Sequence, residues 1–214
     1  MTKGSGLQAN VVEHILQNGY RDKKVQREIV DGFYRDNDLS GNRVQVYQNP
    51  NTKQVIVSHR GTSGLLDWAN NLSFINGVYK LTPRFRHAKD IQEKAEGKYG
   101  NDNEIYTMGH SQGAMLAKEL GKKSREIIAL DRPVLLRETL HEKTPENLVD
   151  IRTKHDLVSG LVPYQRRSSS STKNGELITI PSHSYDPIAE HHVNKMDNLG
   201  DKMLGGAGSD SRKL

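Results

Sequence analysis

A serine stands between two glycines in Gly109-His110-Ser111-Gln112-Gly113, a G-x-S-x-G pattern. The chemistry open to such a serine is acyl transfer. A sharp strand-to-helix turn lifts the hydroxyl clear of a sheet, where it can attack a carbonyl. Glycine is needed at both ends because a side chain there would collide with the strand or helix packed against the turn. A serine hydroxyl is a weak nucleophile until a base takes its proton, and the base needs an acid to hold its tautomer. In sheets of this kind the acid follows the serine in chain order, and the histidine follows the acid. Asp131 and Asp156 both qualify, after "EIIAL" and after "NLVDIRTKH". Asp156 is favoured, because it follows the later strand and precedes an apolar segment, "LVSGLVP", that can anchor its loop. Asp150 falls within the strand-like run and reads as structural. Of the nine histidines, only His183, His191 and His192 lie beyond the last acid candidate and the last strand. Neighbouring histidines diverge around a helix and cannot share one ion, so neither a metal nor a cofactor is expected.

Attack on a carbonyl creates an oxyanion, which needs two donors. One is the backbone N–H after the nucleophile, that of Gln112. The other should come from an earlier strand-to-helix loop. "VIVSH" followed by Arg60-Gly61-Thr62 supplies that loop: Gly61 lets the backbone approach the substrate, and the N–H and hydroxyl of Thr62 can point at the oxyanion. Beyond it, Leu65, Leu66 and Trp68 are either core or a short lid, apolar on the side that covers an acyl pocket.

These groups must be positioned by alternating strands and helices. Leu7, Val11, Val12, Ile15 and Leu16 recur at helical spacing. "VQREIVDGFY" is expected to form a second short helix. From Arg43 the period changes to two, and "NPNTK" separates two strands of a hairpin. Residues 84–99 return to helical spacing, with Phe85, Ala88, Ile91, Ala95 and Tyr99 on one stripe and Gly100 as the stop. A strand at 105–108, the serine turn and a helix ended by Gly121 follow. "EIIAL", "NLVDIR" and "LITI" are further strands, and "PIAEHHVNKM" a last helix. The polar "QRRSSSSTKNGE" reads as a loop. The expectation is an α/β fold with a mostly parallel central sheet and helices on both faces. One domain would span 1–199, with 200–214 as a flexible tail.

A chain of 214 residues suffices for one such core. Hydrophobic residues make up 34% and charged residues 27%, with a mean hydropathy of −0.75. No run approaches the ~20 apolar residues of a membrane span, and the N-terminus lacks the apolar core of a secretory signal. With no cysteine, disulfides, thiolate metal sites and cysteine nucleophiles are excluded. These features lead us to expect a cytoplasmic rather than a secreted protein. The net charge of +5 suits an anionic partner, such as an acidic membrane surface met peripherally; it gives no ground for a specific nucleic-acid partner.

Three blocks together resemble the class 3 lipases, the fungal-lipase-like branch of the α/β-hydrolases. They are "HRGTSGLLDWANNL", similar to that family's F-R-G-T/S block; "GHSQG", similar to its G-H-S-x-G elbow; and "HDLVSGLVP", similar to its D-x-V-x-x-L-P acid segment. The resemblance covers roughly residues 40–196. It implies a Ser-Asp-His hydrolase of acyl esters, commonly of glycerolipids. It also implies Asp156 as the acid, and Thr62 and Gln112 as the oxyanion residues. The family's histidine usually precedes an aliphatic residue at the second position and an apolar one at the fifth. That places the base at His191, with His192 as the alternative. His59 departs from the family's usual phenylalanine, and Asp131-Arg132-Pro133 stands where a Gly-Ser-Pro-like segment is usual. The expected substrate is a lipid or other acyl ester, with phospholipid, monoglyceride and soluble esters all open. The rival reading is a catalytically silent protein on the same fold, docking a membrane or nucleic acid through a basic surface.

Overall fold

The computed structural model describes residues 7–20, 28–61, 78–133, 145–153 and 176–180. Among these, eight strands form one sheet, arranged in the order in which they occur along the chain. They are β1 (Glu28–Val30), β2 (Phe33–Asp36), β3 (Val44–Asn49), β4 (Gln54–His59), β5 (Glu104–His110), β6 (Glu126–Leu130), β7 (Leu148–Thr153) and β8 (Glu176–Ile180). The first four run antiparallel to their neighbours, whereas β4 to β8 are all parallel. Among the described residues three α-helices accompany them: α1 (Ala9–Asn18), α2 (Pro83–Tyr99) and α3 (Gln112–Leu120). The mostly parallel sheet flanked by helices agrees with the reading of the sequence.

Side chains alternate across a strand, which sorts them into two cores. Ile56, Tyr106, Met108, Ile128, Leu130 and Ile151 turn to one face, where Val11, Val12, Ile15 and Leu16 of α1 cover them. Val55, Val57 and Ile105 turn to the other, against Ala88, Ile91 and Ala95 of α2 and Met115 and Leu116 of α3. The crossovers from β4 to β5 and from β5 to β6 use α2 and α3, so both helices lie on the same side. α2 starts where the sequence provides a start. Thr82 caps it by accepting the Phe85 N–H at 3.2 Å, and Pro83 takes the first helical position, where no N–H is needed.

One expected element is corrected. "VQREIVDGFY" is not a short helix over its described part: Glu28–Val30 and Phe33–Asp36 form an antiparallel hairpin. Asp31 and Gly32 connect them with positive φ angles of 44° and 81°. That is the backbone of a two-residue hairpin turn, and Asp-Gly is a sequence that accommodates it. Asn49 Nδ2 secures the turn by donating to the Asp31 carbonyl at 2.9 Å. The expected "PIAEHHVNKM" helix, the 165–176 loop and the tail at 200–214 lie outside or largely outside the described residues.

Candidate active site

Three neighbouring parallel strands end at one edge of the sheet. His59 pairs in register with Gly109, and His110 with Leu130. The next residues in the chain are Arg60, Ser111 and Asp131, so the edge brings together three segments that are distant in sequence. Clefts at the carboxyl ends of parallel strands are the usual place for ligands in sheets of this type.

Ser111 makes the turn between β5 and α3 with φ 56° and ψ −126°. This backbone conformation is costly for a residue with a Cβ, about 1–3 kcal/mol, and persists only where its surroundings impose it. Here they do. A Cβ at Gly109 would sit 2.3 Å from the Gly113 carbonyl oxygen, and one at Gly113 would sit 1.9 Å from the His59 carbonyl oxygen. The helix therefore starts in direct backbone contact with both β5 and the end of β4. The Ser111 N–H donates to the Leu130 carbonyl at 2.9 Å, continuing the pairing with β6 past the end of the strand. Gln112 is the first residue of α3; its N–H belongs to the turn whose donors no carbonyl of the helix itself can satisfy.

Gly61 closes the other side. A Cβ there would lie 3.1 Å from Ser111 Cβ, 2.8 Å from the His110 carbonyl oxygen and 2.7 Å from the Tyr20 hydroxyl. Tyr20, just past the end of α1, accepts the Gly61 N–H at 3.2 Å and lies 2.6 Å from His110 Nδ1. Burial pushes its phenol up to about 12, against weaker opposing effects of the Gly61 N–H and of Arg60 and Arg84. At neutral pH it therefore keeps its proton and can donate it to the imidazole. Arg84 of α2 secures the same loop from the opposite face: Nη2 donates to the Arg60 carbonyl at 2.5 Å, and Nη1 to the Gln112 side-chain oxygen.

Asp131, the competing acid candidate, is fully buried, with φ 47°. Its Oδ1 accepts the Thr153 N–H at 2.6 Å and its Oδ2 the Thr153 hydroxyl at 2.9 Å. It thus ties the end of β7 to the end of β6. Asp150 is structural, as its place in the strand suggested: its Oδ2 accepts from Arg132 at 3.0 Å and Arg152 at 2.9 Å. Burial alone would raise its carboxyl, but the two guanidiniums hold it below the usual carboxylate range. Arg132 and Asp150 thus account for a segment that departs from the family pattern.

His59 is the other departure. It turns toward α2, where its Nε2 lies 3.4 Å from Gln92 Oε1. Gln92 Nε2 also donates to Thr107 at 3.1 Å, and Thr107 meets Ser124 at 2.6 Å. A polar chain thus crosses an otherwise apolar layer. Burial, despite the Gln92 contact, drives the His59 imidazole down to about 4, and the charge of Arg84 adds to the fall.

Ser111, Gln112 and Gly61 are thus assembled at one place. Thr62, Leu65, Leu66, Trp68, Asp156, His183, His191 and His192 lie outside the described residues. Reasoning from sequence missed Tyr20, which touches both the elbow and the loop. It follows Gly19 at a helix end, and nothing local marks it. Among the described residues no group of acidic and histidine side chains could hold a metal ion, and no helix is long and apolar enough to cross a membrane.

No family model matches the sequence, and no curated protein matches it. Solved structures do match the fold. The native propeptide complex of Rhizomucor miehei lipase aligns with 92% of this chain and 78% of its own, at a TM-score of 0.53 and 11% identity. Lip2 lipase from Yarrowia lipolytica aligns over 89% and 85%, at 0.50 and 14% identity. The chain has the fungal-lipase-like α/β-hydrolase fold.

Proposed function

We propose that the protein is a serine hydrolase of carboxylic esters, with lipid esters as the substrate class. The observation that carries this reading is the conformation of Ser111, held at positive φ between β5 and α3 with Gly61 against its Cβ. A structural serine gains nothing from such strain, whereas a nucleophile gains exposure to a carbonyl and a helix N-terminus beneath the developing charge. Ser111 Oγ attacks the ester carbonyl. His191, or His192 in its place, takes the serine proton and returns it to the leaving alcohol. Asp156 holds the imidazole tautomer and stabilises its charged form. The N–H groups of Thr62 and Gln112 receive the oxyanion, and water then releases the acyl group by the same steps. Two strand ends support the assignment of the partners. β7 stops at Thr153, shortly before Asp156, and β8 stops at Ile180, before all three histidines. Both are on the edge that carries Ser111.

A fluorophosphonate probe tests the reading, because it reacts quickly only with an activated serine in an oxyanion hole. One adduct at Ser111 is expected, and none in Ser111→Ala. No adduct, or one in the serines at 168–171, would leave the catalytically silent reading in its place.

A further inference from the structure

Beside the elbow lies a basic cleft that the chemistry above does not use. Asn42, Arg43, Arg60 and Gly61 line an open cavity of about 140 Å³. Gly61 belongs to both places: it lines the cleft and packs against Ser111 Cβ. Arg43 is exposed, and among the described residues its guanidinium makes no hydrogen bond or ion pair. Arg60 stacks on Tyr20, with its guanidinium carbon 5.0 Å from the ring centre, and Nη1 reaches the Asn42 carbonyl only at 3.5 Å. Behind them stands Arg84, lowered to about 10 by burial and by the charges of Arg43 and Arg60. The charges of Arg43 and Arg60 thus both repel that of Arg84, and among the described residues no carboxylate pairs with Arg43 or Arg60. An anion in the cleft would relieve that repulsion. The planar, multidentate guanidinium is well matched to phosphate oxygens. Contact with the Tyr20 ring restrains Arg60, so less order remains to be imposed when an anion arrives.

We infer that Arg43 and Arg60 form a phosphate-binding subsite beside the reacting serine, and that the preferred substrate is an acyl ester carrying a phosphate group, as a glycerophospholipid does. The inference rests on the ester-hydrolase reading of Ser111 and narrows it. In a glycerophospholipid the glycerol places the phosphate only a few bonds from an ester carbonyl. A substrate anchored on the two arginines therefore presents its carbonyl across Gly61, next to Ser111.

The test measures binding without turnover. The full chain carrying Ser111→Ala is titrated with dihexanoyl phosphatidic acid and with dihexanoylglycerol, both below their micelle concentrations, and with inorganic phosphate. The phosphate-bearing lipid should bind about tenfold or more tightly than the neutral one. Arg43→Gln and Arg60→Gln should each remove most of that margin, and salt should narrow it. Among the described residues the Arg43 guanidinium has no hydrogen bond or ion pair to lose, so its variant should keep the fold, which an unchanged melting temperature will verify. Equal binding of the two lipids, or a margin that survives the Arg43→Gln change, overturns the subsite. Inorganic phosphate binding as tightly as the lipid also overturns it, since the cleft would then be a free-phosphate site. Wild-type turnover of the same lipids is scored separately, so a failure of the hydrolase reading is distinguishable from a failure of the subsite.

Discussion

The Tyr20 hydroxyl lies 2.6 Å from His110 Nδ1, across ninety residues of sequence. Strand alternation explains the meeting. His110 shares its parity with Tyr106 and Met108, which turn to the face covered by α1, and Tyr20 stands just past the end of that helix. The same hydroxyl accepts the Gly61 N–H at 3.2 Å. One phenol thus spans the two segments proposed to surround a reacting carbonyl, the serine elbow and the oxyanion loop.

Tyr20→Phe should therefore act on catalysis more than on folding. Two hydrogen bonds of ordinary strength disappear, costing about 1–2 kcal/mol of stability. The loop becomes free to shift against Ser111, and small misplacements in a reacting geometry cost about tenfold or more in rate. With a short soluble ester, kcat should fall by about that factor while KM changes little. Unchanged kcat would reduce Tyr20 to a packing residue.

The elbow glycines make a sharper structural prediction. At Gly113 the obstacle is the His59 main-chain carbonyl, 1.9 Å from a built Cβ, and a strand carbonyl cannot swing away as a long side chain could. Gly113→Ala should cost about 3 kcal/mol or more. Gly97 provides the control. It lies within α2 with nothing inside 4 Å of its built Cβ, so Gly97→Ala should stabilise by about 0.5–1 kcal/mol. Urea denaturation of the two variants measures both, and similar effects would contradict the geometry.

Local patterns in the sequence were enough to place α1, α2, α3 and most strands, because burial on one face imposes a period that can be read directly. The serine turn was legible for the same reason: strand, two glycines and helix are neighbours in the chain. The first hairpin was not. Its apolar residues are also spaced as on a helix, and the local Asp31-Gly32 turn signal was outweighed by that spacing; Asn49 on its backbone and Asn10 on the Asp31 carboxylate at 2.6 Å then hold the turn from afar. Tyr20 and Arg84 were missed because their partners are remote in sequence. The role of Asp131 was invisible for another reason. An acid after a strand looks alike whether it serves a histidine or a neighbouring strand.

His59 makes stability depend on pH. Its folded-state value, about 4, lies below its ordinary value of 6.5. Above 6.5 both the folded and unfolded chains carry it neutral, and it costs nothing. As pH falls from 6.5 toward 4, the unfolded chain takes up a proton that the folded one refuses, so stability is lost through that window, by about 3 kcal/mol in all. His59→Phe should flatten the slope of stability against pH between those limits. Denaturation at several pH values reads the slope, and a slope unaltered by the substitution would assign the acid sensitivity to other groups.

Asp131 and Asp156 should separate stability from chemistry. Asp131 holds the main chain and hydroxyl of Thr153 with its two oxygens, inside the protein. Asp131→Asn keeps the shape and tolerates the positive φ, but turns one acceptor into a donor that faces a Thr153 group. It should cost about 1–3 kcal/mol, and activity should fall only to the extent that the end of β7 shifts. Asp156→Asn should do the opposite: in the proposed mechanism it leaves the imidazole in the wrong tautomer, so kcat should drop by about 10³–10⁴ with the melting temperature nearly unchanged. Measuring kcat and melting temperature for both variants decides the matter. If Asp131→Asn is the one that abolishes turnover without unfolding the protein, the acid lies at the end of β6. Thr153 would then be the residue that orients it.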